Sequence, residues 1–475
     1  MGRLIVVSNR VPPPEDKRAS AGGLAVALQA ALRERGGLWL GWSGETAASE
    51  ADSERVKTRV EGNITFSLVD LTQRDIEEYY SGFANRALWP LLHYRLDLAD
   101  FDRRDTSGYF RVNALFARIL AAEVKPDDEI WVQDYHLIPL AAELRARGIT
   151  NKIGFFLHIP WPPPDVFSAM PWHRRLLETF TAYDLVGFQI DYDAENFINC
   201  MVREGIGRET SRGTFRAGER EFRIAAFPIG IETDEFAKMA VEARETSLVH
   251  RMEESLENRK LIIGVDRLDY SKGIDQRMLA YERYLDNNPS SMGKVVYLQI
   301  TPKSRSEVPE YADMQREIAE TAGRINGAFS DLDWTPIRYI NRTIRRTTLA
   351  GLYRMSDVGL VTPLRDGMNL VAKEYVAAQD PENPGVLVLS RFAGAARELD
   401  GAVLVNPYDL ESTAGAIAGA ISMPLDERIS RWRGMFDRLR QYHVNNWCDT
   451  FLETLEKPLN VPAFGSQQPP LRKAS

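Results

Sequence analysis

Cysteine is nearly absent from the 475-residue chain, with only Cys200 and Cys448. Two thiols exclude a disulfide scaffold and a cysteine-based zinc site. A basic surplus is also missing, because the formal net charge is −8. That argues against a dedicated nucleic-acid binder, which shows a basic face. It leaves small anionic ligands open, since these need only a few local cations. No run approaches the ~18 apolar residues of a membrane helix. The longest candidate, 413–425, is short and rich in Ala and Gly and reads as a packed surface helix. The apolar start at Leu4-Ile5-Val6-Val7 is too short for a signal peptide, and Val6 occupies the position where a myristoylation motif wants Ser or Thr. These absences predict a cytoplasmic protein with reduced thiols and no membrane partner. Two nucleotide motifs are missing as well. The first strand is not followed by Gly-x-Gly-x-x-Gly, and no Gly-x-x-x-x-Gly-Lys-Ser/Thr occurs, which sets aside dinucleotide oxidoreductases and P-loop nucleotidases.

What is present is an alternation of short β-rich runs with longer helical patterns. Strands are predicted over 4–8, 130–133, 153–157 and 185–189, then over 261–266, 295–300, 358–361, 386–390 and 403–405. These runs are nearly continuous in Val, Ile and Leu, as in parallel strands buried on both faces. The fold class is therefore α/β and doubly wound. The pattern pauses at Pro228-Ile229-Gly230-Ile231-Glu232. This places a first domain over 1–232 and a second over 233–458, with a loose tail over 459–475. Ligands of open α/β sheets bind beyond the C-terminal ends of strands, so the chemistry is sought there.

The first strand ends at Ser8-Asn9-Arg10, and Ala21-Gly22-Gly23-Leu24 then opens a helix. Paired glycines at a helix start let backbone N–H groups approach an anion. Two further strands end on Gln133-Asp134-Tyr135-His136 and Leu157-His158-Ile159-Pro160. Asp134 is a candidate acceptor of sugar hydroxyls, and His158 a candidate donor to a hydroxyl or carbonyl. Asp266-Arg267-Leu268-Asp269-Tyr270-Ser271-Lys272-Gly273 sets an Arg fork and a Lys point charge five residues apart, which suits a diphosphate. Arg305 falls after another strand. The segment Arg365-Asp366-Gly367-Met368-Asn369-Leu370-Val371-Ala372-Lys373-Glu374 joins an Asp-Gly turn to a helix start near Asn369. Free N–H groups there suit a phosphate, and Glu374 about one turn in can accept both ribose hydroxyls.

Together with Gly41-Trp42-Ser43-Gly44 and Leu88-Trp89-Pro90, these segments resemble the trehalose-6-phosphate synthase family. Its members are retaining glucosyltransferases of GT-B architecture, in which two Rossmann-like domains face each other across a cleft. The resemblance runs from Arg3 to about Pro458. It implies transfer of glucose from a nucleotide-glucose, with uracil, guanine or adenine as base, to glucose 6-phosphate. Arg10 and Arg305 resemble the clamp on the acceptor phosphate, and Tyr80, Trp89 and Asp134 the rest of that pocket. Gly22 and Gly23 resemble the donor diphosphate cradle, and Arg267 and Lys272 the diphosphate pair. His158 resembles the residue that meets the donor glucose at the reacting centre. Asp366 and the backbone of Gly367, Met368, Asn369, Leu370 and Val371 resemble donor contacts, with Glu374 on the ribose and Ile344 beside the base. The last helix of such proteins can cross back to the first domain. A homo-dimer or homo-tetramer is compatible with the family.

Two rival readings are a pseudo-glycosyltransferase that couples cyclitols and a non-catalytic sugar-phosphate sensor. Relatives of the first kind depart at acceptor residues, whereas Arg10, Tyr80, Trp89, Asp134 and His158 are all kept. The second would not need every site residue. The resemblance implies no cofactor and no metal, with Arg267 and Lys272 in the role of a divalent cation. Activity in excess chelator is therefore expected to equal that without chelator; loss of turnover restored by magnesium would contradict this.

Overall fold

A computed structural model of the chain describes residues 2–11, 28–29, 31–33, 35–302 and 309–458. It contains two separate sheets, each built from a contiguous part of the sequence. The first has ten strands: β1 (Leu4–Arg10), β2 (Gly37–Ala47), β3 (Lys57–Glu61), β4 (Ile64–Thr72), β5 (Glu129–Gln133), β6 (Ile153–Phe156), β7 (Leu185–Phe188), β8 (Arg208–Ser211), β9 (Thr214–Ala217) and β10 (Arg220–Ala226). Their spatial order is β3-β4-β2-β1-β5-β6-β7-β10-β9-β8. The core from β4 to β10 is parallel, and β3, β9 and β8 add antiparallel pairs at the two edges.

The second sheet has six strands, β11 (Lys260–Val265), β12 (Val295–Ile300), β13 (Ile337–Ile340), β14 (Val358–Val361), β15 (Val386–Ser390) and β16 (Val403–Val405). The order β13-β12-β11-β14-β15-β16 reverses direction at β11, and all its pairs are parallel. Nine strands were legible as apolar runs. Among the others β3 and β8 are polar and exposed, whereas β2 is buried over Gly37–Trp42 and its apolar start went unread.

Both faces of the first sheet are covered. Alternate residues of one strand join different cores: Ile5 and Val7 pack with Tyr109, Val112 and Phe116 of the helix Arg103–Glu123, while Leu4 and Val6 join the opposite cluster. That second cluster includes the last helix, Val444–Glu456. Phe451 stacks on Trp131 of β5 at 4.7 Å, and Trp447 meets the same ring at 4.8 Å. The helix seats closely because Gly154 and Gly187 face it; a Cβ on either would lie 2.7–2.8 Å from the Phe451 ring. Arg223 of β10 then holds the chain's exit by donating to the carbonyls of Lys457 and Pro458 at 2.8 and 2.7 Å.

The backbone thus passes between the sheets twice, and the two passages touch. Val444 N–H donates to the Ile231 carbonyl at 3.3 Å. A Cβ on Gly230 would sit 2.3 Å from the Tyr442 carbonyl oxygen, so this crossing needs a residue with no side chain. Among the described residues no helix is long and apolar enough to cross a membrane.

Phe451 is fully buried. Phe451→Ala is expected to lower stability by ~3–5 kcal/mol through lost burial and a residual cavity, read by chemical denaturation.

Candidate active site

Three neighbouring strands of the first sheet, β5, β6 and β7, end on Gln133, on Leu157-His158 and on Gln189. His158 stands between the two amides. Its Nε2 is 2.9 Å from Gln133 Oε1, and its Nδ1 is 3.5 Å from Gln189 Nε2. Burial holds the imidazole pKa down at about 3, so the ring is neutral at working pH. Asp134 accepts the His158 backbone N–H at 3.3 Å. Asp134 itself has φ +72°, a conformation that costs a non-glycine residue ~1–3 kcal/mol and recurs where a side chain must be aimed.

The other first-domain candidates form a chain of rings leading away from Asp134. Arg10 lies over Trp42 at 5.5 Å; Trp42 meets Tyr80 at 5.5 Å, and Tyr80 stacks on His136 at 5.9 Å. Tyr80 belongs to a π-helical stretch, Ile76–Leu88, and Trp89 follows at its end, 5.6 Å from the ring of Tyr135. Such wide-turn stretches re-aim side chains and are frequent at functional sites. Arg10 is exposed, Tyr80 half-buried and Trp89 buried.

On the second sheet, Lys272 donates to Asp366 Oδ2 at 2.5 Å, both largely buried. Asn369 Nδ2 donates to the same oxygen at 3.0 Å, while its Oδ1 caps Ala372 N–H at 3.1 Å. Asn369 therefore locks the loop Asp366–Asn369 to the start of the helix Leu370–Ala378. Arg267 is exposed. Met368 is buried, and Leu370, Val371 and Ile344 are half-buried against the core. Glu374 is not an open carboxylate: Arg346 Nε lies 3.4 Å away, and Arg346 Nη1 reaches Glu232 at 3.7 Å. Burial raises the Glu374 pKa and Arg346 opposes that shift.

The two ligand edges meet. A Cβ on Gly367 would lie 2.2 Å from the His158 carbonyl oxygen, so only glycine permits the loop to touch the first sheet's edge there. Beside this contact, Arg365 lies 3.8 Å over the Tyr94 ring and Arg95 lies 5.4 Å over the Tyr270 ring. Each sheet's domain thus gives one cation and takes one. A cavity of about 760 Å³ opens here, lined in part by Arg95, Tyr270, Ile274, Met314 and Leu364. Gly22, Gly23 and Arg305 lie outside the described residues. Among the described residues no group of three or more His, Cys, Asp or Glu side chains is placed to hold a metal ion.

Sequence reasoning gave no role to Gln133, Gln189, Arg277, Arg346 or Arg365. A usable signal existed for the first two: an apolar strand closing on Gln occurs in Trp131-Val132-Gln133 and Gly187-Phe188-Gln189. Arg277 is wholly buried. It pairs with Asp266 at 2.5 Å and donates to Thr362 Oγ1, Gln299 Oε1 and the Lys272 carbonyl at 3.0, 3.2 and 3.1 Å.

The chain matches the family Glycosyltransferase family 20 over residues 2–457. It is 60% identical over 457 residues to a trehalose-6-phosphate synthase of Sinorhizobium fredii, covering 96% of this chain and 98% of that one. Among solved structures, an α,α-trehalose-phosphate synthase (UDP-forming) of Burkholderia xenovorans in complex with glucose-6-phosphate superposes with TM-score 0.91 at 50% identity, covering 96% of this chain and 100% of that one. An Escherichia coli protein bound with UDP-2-fluoro glucose superposes with TM-score 0.92 at 48% identity, with 96% and 100% covered. The two sheets facing across a cleft are the GT-B arrangement of these neighbours.

Arg277→Met is expected to destabilise the chain by ~3–5 kcal/mol by stranding the buried Asp266 carboxylate. Adding Asp266→Asn is expected to recover part of that loss in the same denaturation measurement.

Proposed function

The chain belongs to glycosyltransferase family 20, and from that membership we propose that it transfers glucose from UDP-glucose to the anomeric hydroxyl of glucose 6-phosphate with retention, releasing α,α-trehalose 6-phosphate and UDP. GDP-glucose and ADP-glucose are the alternative donors. The observation that carries the reading is the contact of Gly367 with His158, which brings the Lys272–Asp366 pair of one sheet against the His158 and Asp134 edge of the other. Two anionic substrates held on facing edges would meet there. The named relatives and their bound glucose-6-phosphate and UDP-2-fluoro glucose support the substrate pair.

In this proposal residues 1–232 bind mainly the acceptor and residues 233–458 mainly the donor. Arg10 and Arg305 hold the acceptor phosphate, and Tyr80, Trp89 and Asp134 shape the sugar pocket. Gly22, Gly23, Arg267 and Lys272 receive the donor diphosphate. Lys272 then exchanges Asp366 for the diphosphate, which frees the Asp366 carboxylate for hydroxyls of the donor glucose. Backbone groups from Gly367 to Val371, together with Ile344, line the nucleotide, and Glu374 accepts the ribose hydroxyls. His158 meets the donor glucose beside the reacting carbon.

Chemistry follows from positioning and charge. The bond from the anomeric carbon to the diphosphate breaks as Arg267 and Lys272 stabilise the developing negative charge. The acceptor oxygen approaches from the same face through an oxocarbenium-like state, and the departing phosphate oxygen takes its proton. Holding both reactants in register supplies much of the acceleration. The chain is expected to work in the cytoplasm.

Incubating the chain with glucose 6-phosphate and each of the three nucleotide-glucoses, followed by NMR of the products, tests the reading. The expected product is the α,α-linked disaccharide phosphate, formed fastest from UDP-glucose. Absence of a disaccharide phosphate with every donor would overturn it.

A further inference from the structure

Ile229 lies where the chain leaves the first sheet, and its peptide is gripped from both sides. Its N–H donates to Gln189 Oε1 at 3.0 Å, and its carbonyl accepts from Lys373 Nζ at 2.7 Å. Lys373 is fully buried, and its other partner is Glu398 at 2.6 Å. A backbone N–H only donates, so the Gln189 oxygen must face Ile229 and the amide nitrogen must face away. That nitrogen lies 3.5 Å from His158 Nδ1. An amide NH2 also only donates, so Nδ1 carries the lone pair. The ring proton then sits on Nε2, 2.9 Å from Gln133 Oε1. Each link leaves a single orientation to the next.

We propose that Gln189 and Gln133 are positioning residues that hold His158 as the neutral Nε2–H tautomer, so that it offers the donor sugar an accepting nitrogen, Nδ1, and no proton. The polarity of the hydrogen-bond chain is set by the Ile229 N–H, where the backbone leaves the first sheet. The functional half of this statement rests on the glucosyl-transfer reading; the tautomer does not. Sequence alone suggested a donating His158, and the hydrogen-bond chain reverses that sense. The 3.5 Å link is the longest in the chain, so Nδ1 is the nitrogen a sugar hydroxyl can claim. The Gln133 amide nitrogen is buried with no hydrogen-bond partner among the described residues. Leaving it so lowers stability, and turning the amide over would set two donors against each other at Nε2.

The elements packed against His158 bring few charges. Phe156 and Trp447 present rings at 4.7 and 5.9 Å. Asp134 accepts the His158 backbone N–H, and the Lys272–Asp366 pair stands behind Gly367.

The test is ¹⁵N spectroscopy of the full chain labelled in histidine, without substrates. For His158 the expected signature is a protonated Nε2 and a bare Nδ1, unchanged from pH 8 to pH 5. A protonated Nδ1 in the unmutated chain would overturn the proposal, and this arm needs no variant to fold. Gln189→Glu keeps an acceptor for Ile229 but cannot donate to Nδ1. There we expect a ring protonated on both nitrogens near neutral pH, a new ionisation in the pH profile of kcat, and kcat lower by about tenfold with KM for glucose 6-phosphate unchanged. Gln133→Glu retains an acceptor for Nε2–H and is expected to keep the proton on Nε2 and Nδ1 bare at pH 8; a bare Nε2 there would overturn the proposal. A Gln189→Glu chain with unaltered ring signals and kcat would also overturn the proposal. Failure of the glucosyl-transfer reading shows separately, as absence of product from the unmutated chain.

Discussion

Arg277 is wholly buried, and a guanidinium taken out of water must find acceptors for its N–H donors. It finds them on several segments. Asp266 follows β11, Gln299 belongs to β12, Thr362 follows β14, and the Lys272 carbonyl lies farther along the segment after β11. Those segments are the ligand edge of the second sheet at its point of reversal. Their relative heights are therefore referenced to one cation. The Lys272–Asp366 pair depends on this reference, because Lys272 rides on one anchored segment and Asp366 follows another. Satisfying every partner also keeps the buried charge tolerable, since an ionic cluster in a dry core is stabilising only when fully paired.

Across the cleft the contacts are of another kind. Gly367 against the His158 carbonyl excludes any side chain, so the fit there is steric and admits little error. The flanking pairs, Arg365 with Tyr94 and Arg95 with Tyr270, are each worth ~0.5–2 kcal/mol. Interactions of that size align two bodies without welding them, which suits a cleft that must admit two substrates. The permanent connections lie at the other end, where Gly230 lets the two passages of backbone run side by side.

Much of this was legible from the chain. Buried parallel strands announce themselves as Val, Ile and Leu runs, and the nine found that way agree with the structure to within a residue or two at their ends. Edge strands such as β3 and β8 are exposed and polar, so their pairing is dictated by neighbours and leaves no apolar signature. The same division holds for the site. Charged residues at or just past strand ends, such as Arg10, Arg267, Lys272 and Asp366, could be put forward from sequence because position relative to a strand is local information. Arg277 could not, because its partners lie between 5 and 85 residues away. Gln133 and Gln189 escaped for a related reason: their value lies in which atom each amide presents, and the hydrogen-bond chain that decides this ends on a backbone N–H at Ile229. Gly22, Gly23 and Arg305 fall outside the described residues.

The seating of Val444–Glu456 on β5, β6 and β7 has a consequence for how the molecule is made. The whole second sheet is, in topological terms, an insertion into the first domain. A ribosome delivers Trp131, Phe156 and Gly187 more than 250 residues before it delivers Phe451, which covers them. The first domain emerges with one wall missing and cannot close until Phe451 has followed the second sheet. The inserted sheet, whose strands arrive together, can mature while its host waits. An apolar face left bare for that interval is a natural place for a chaperone to hold the nascent chain.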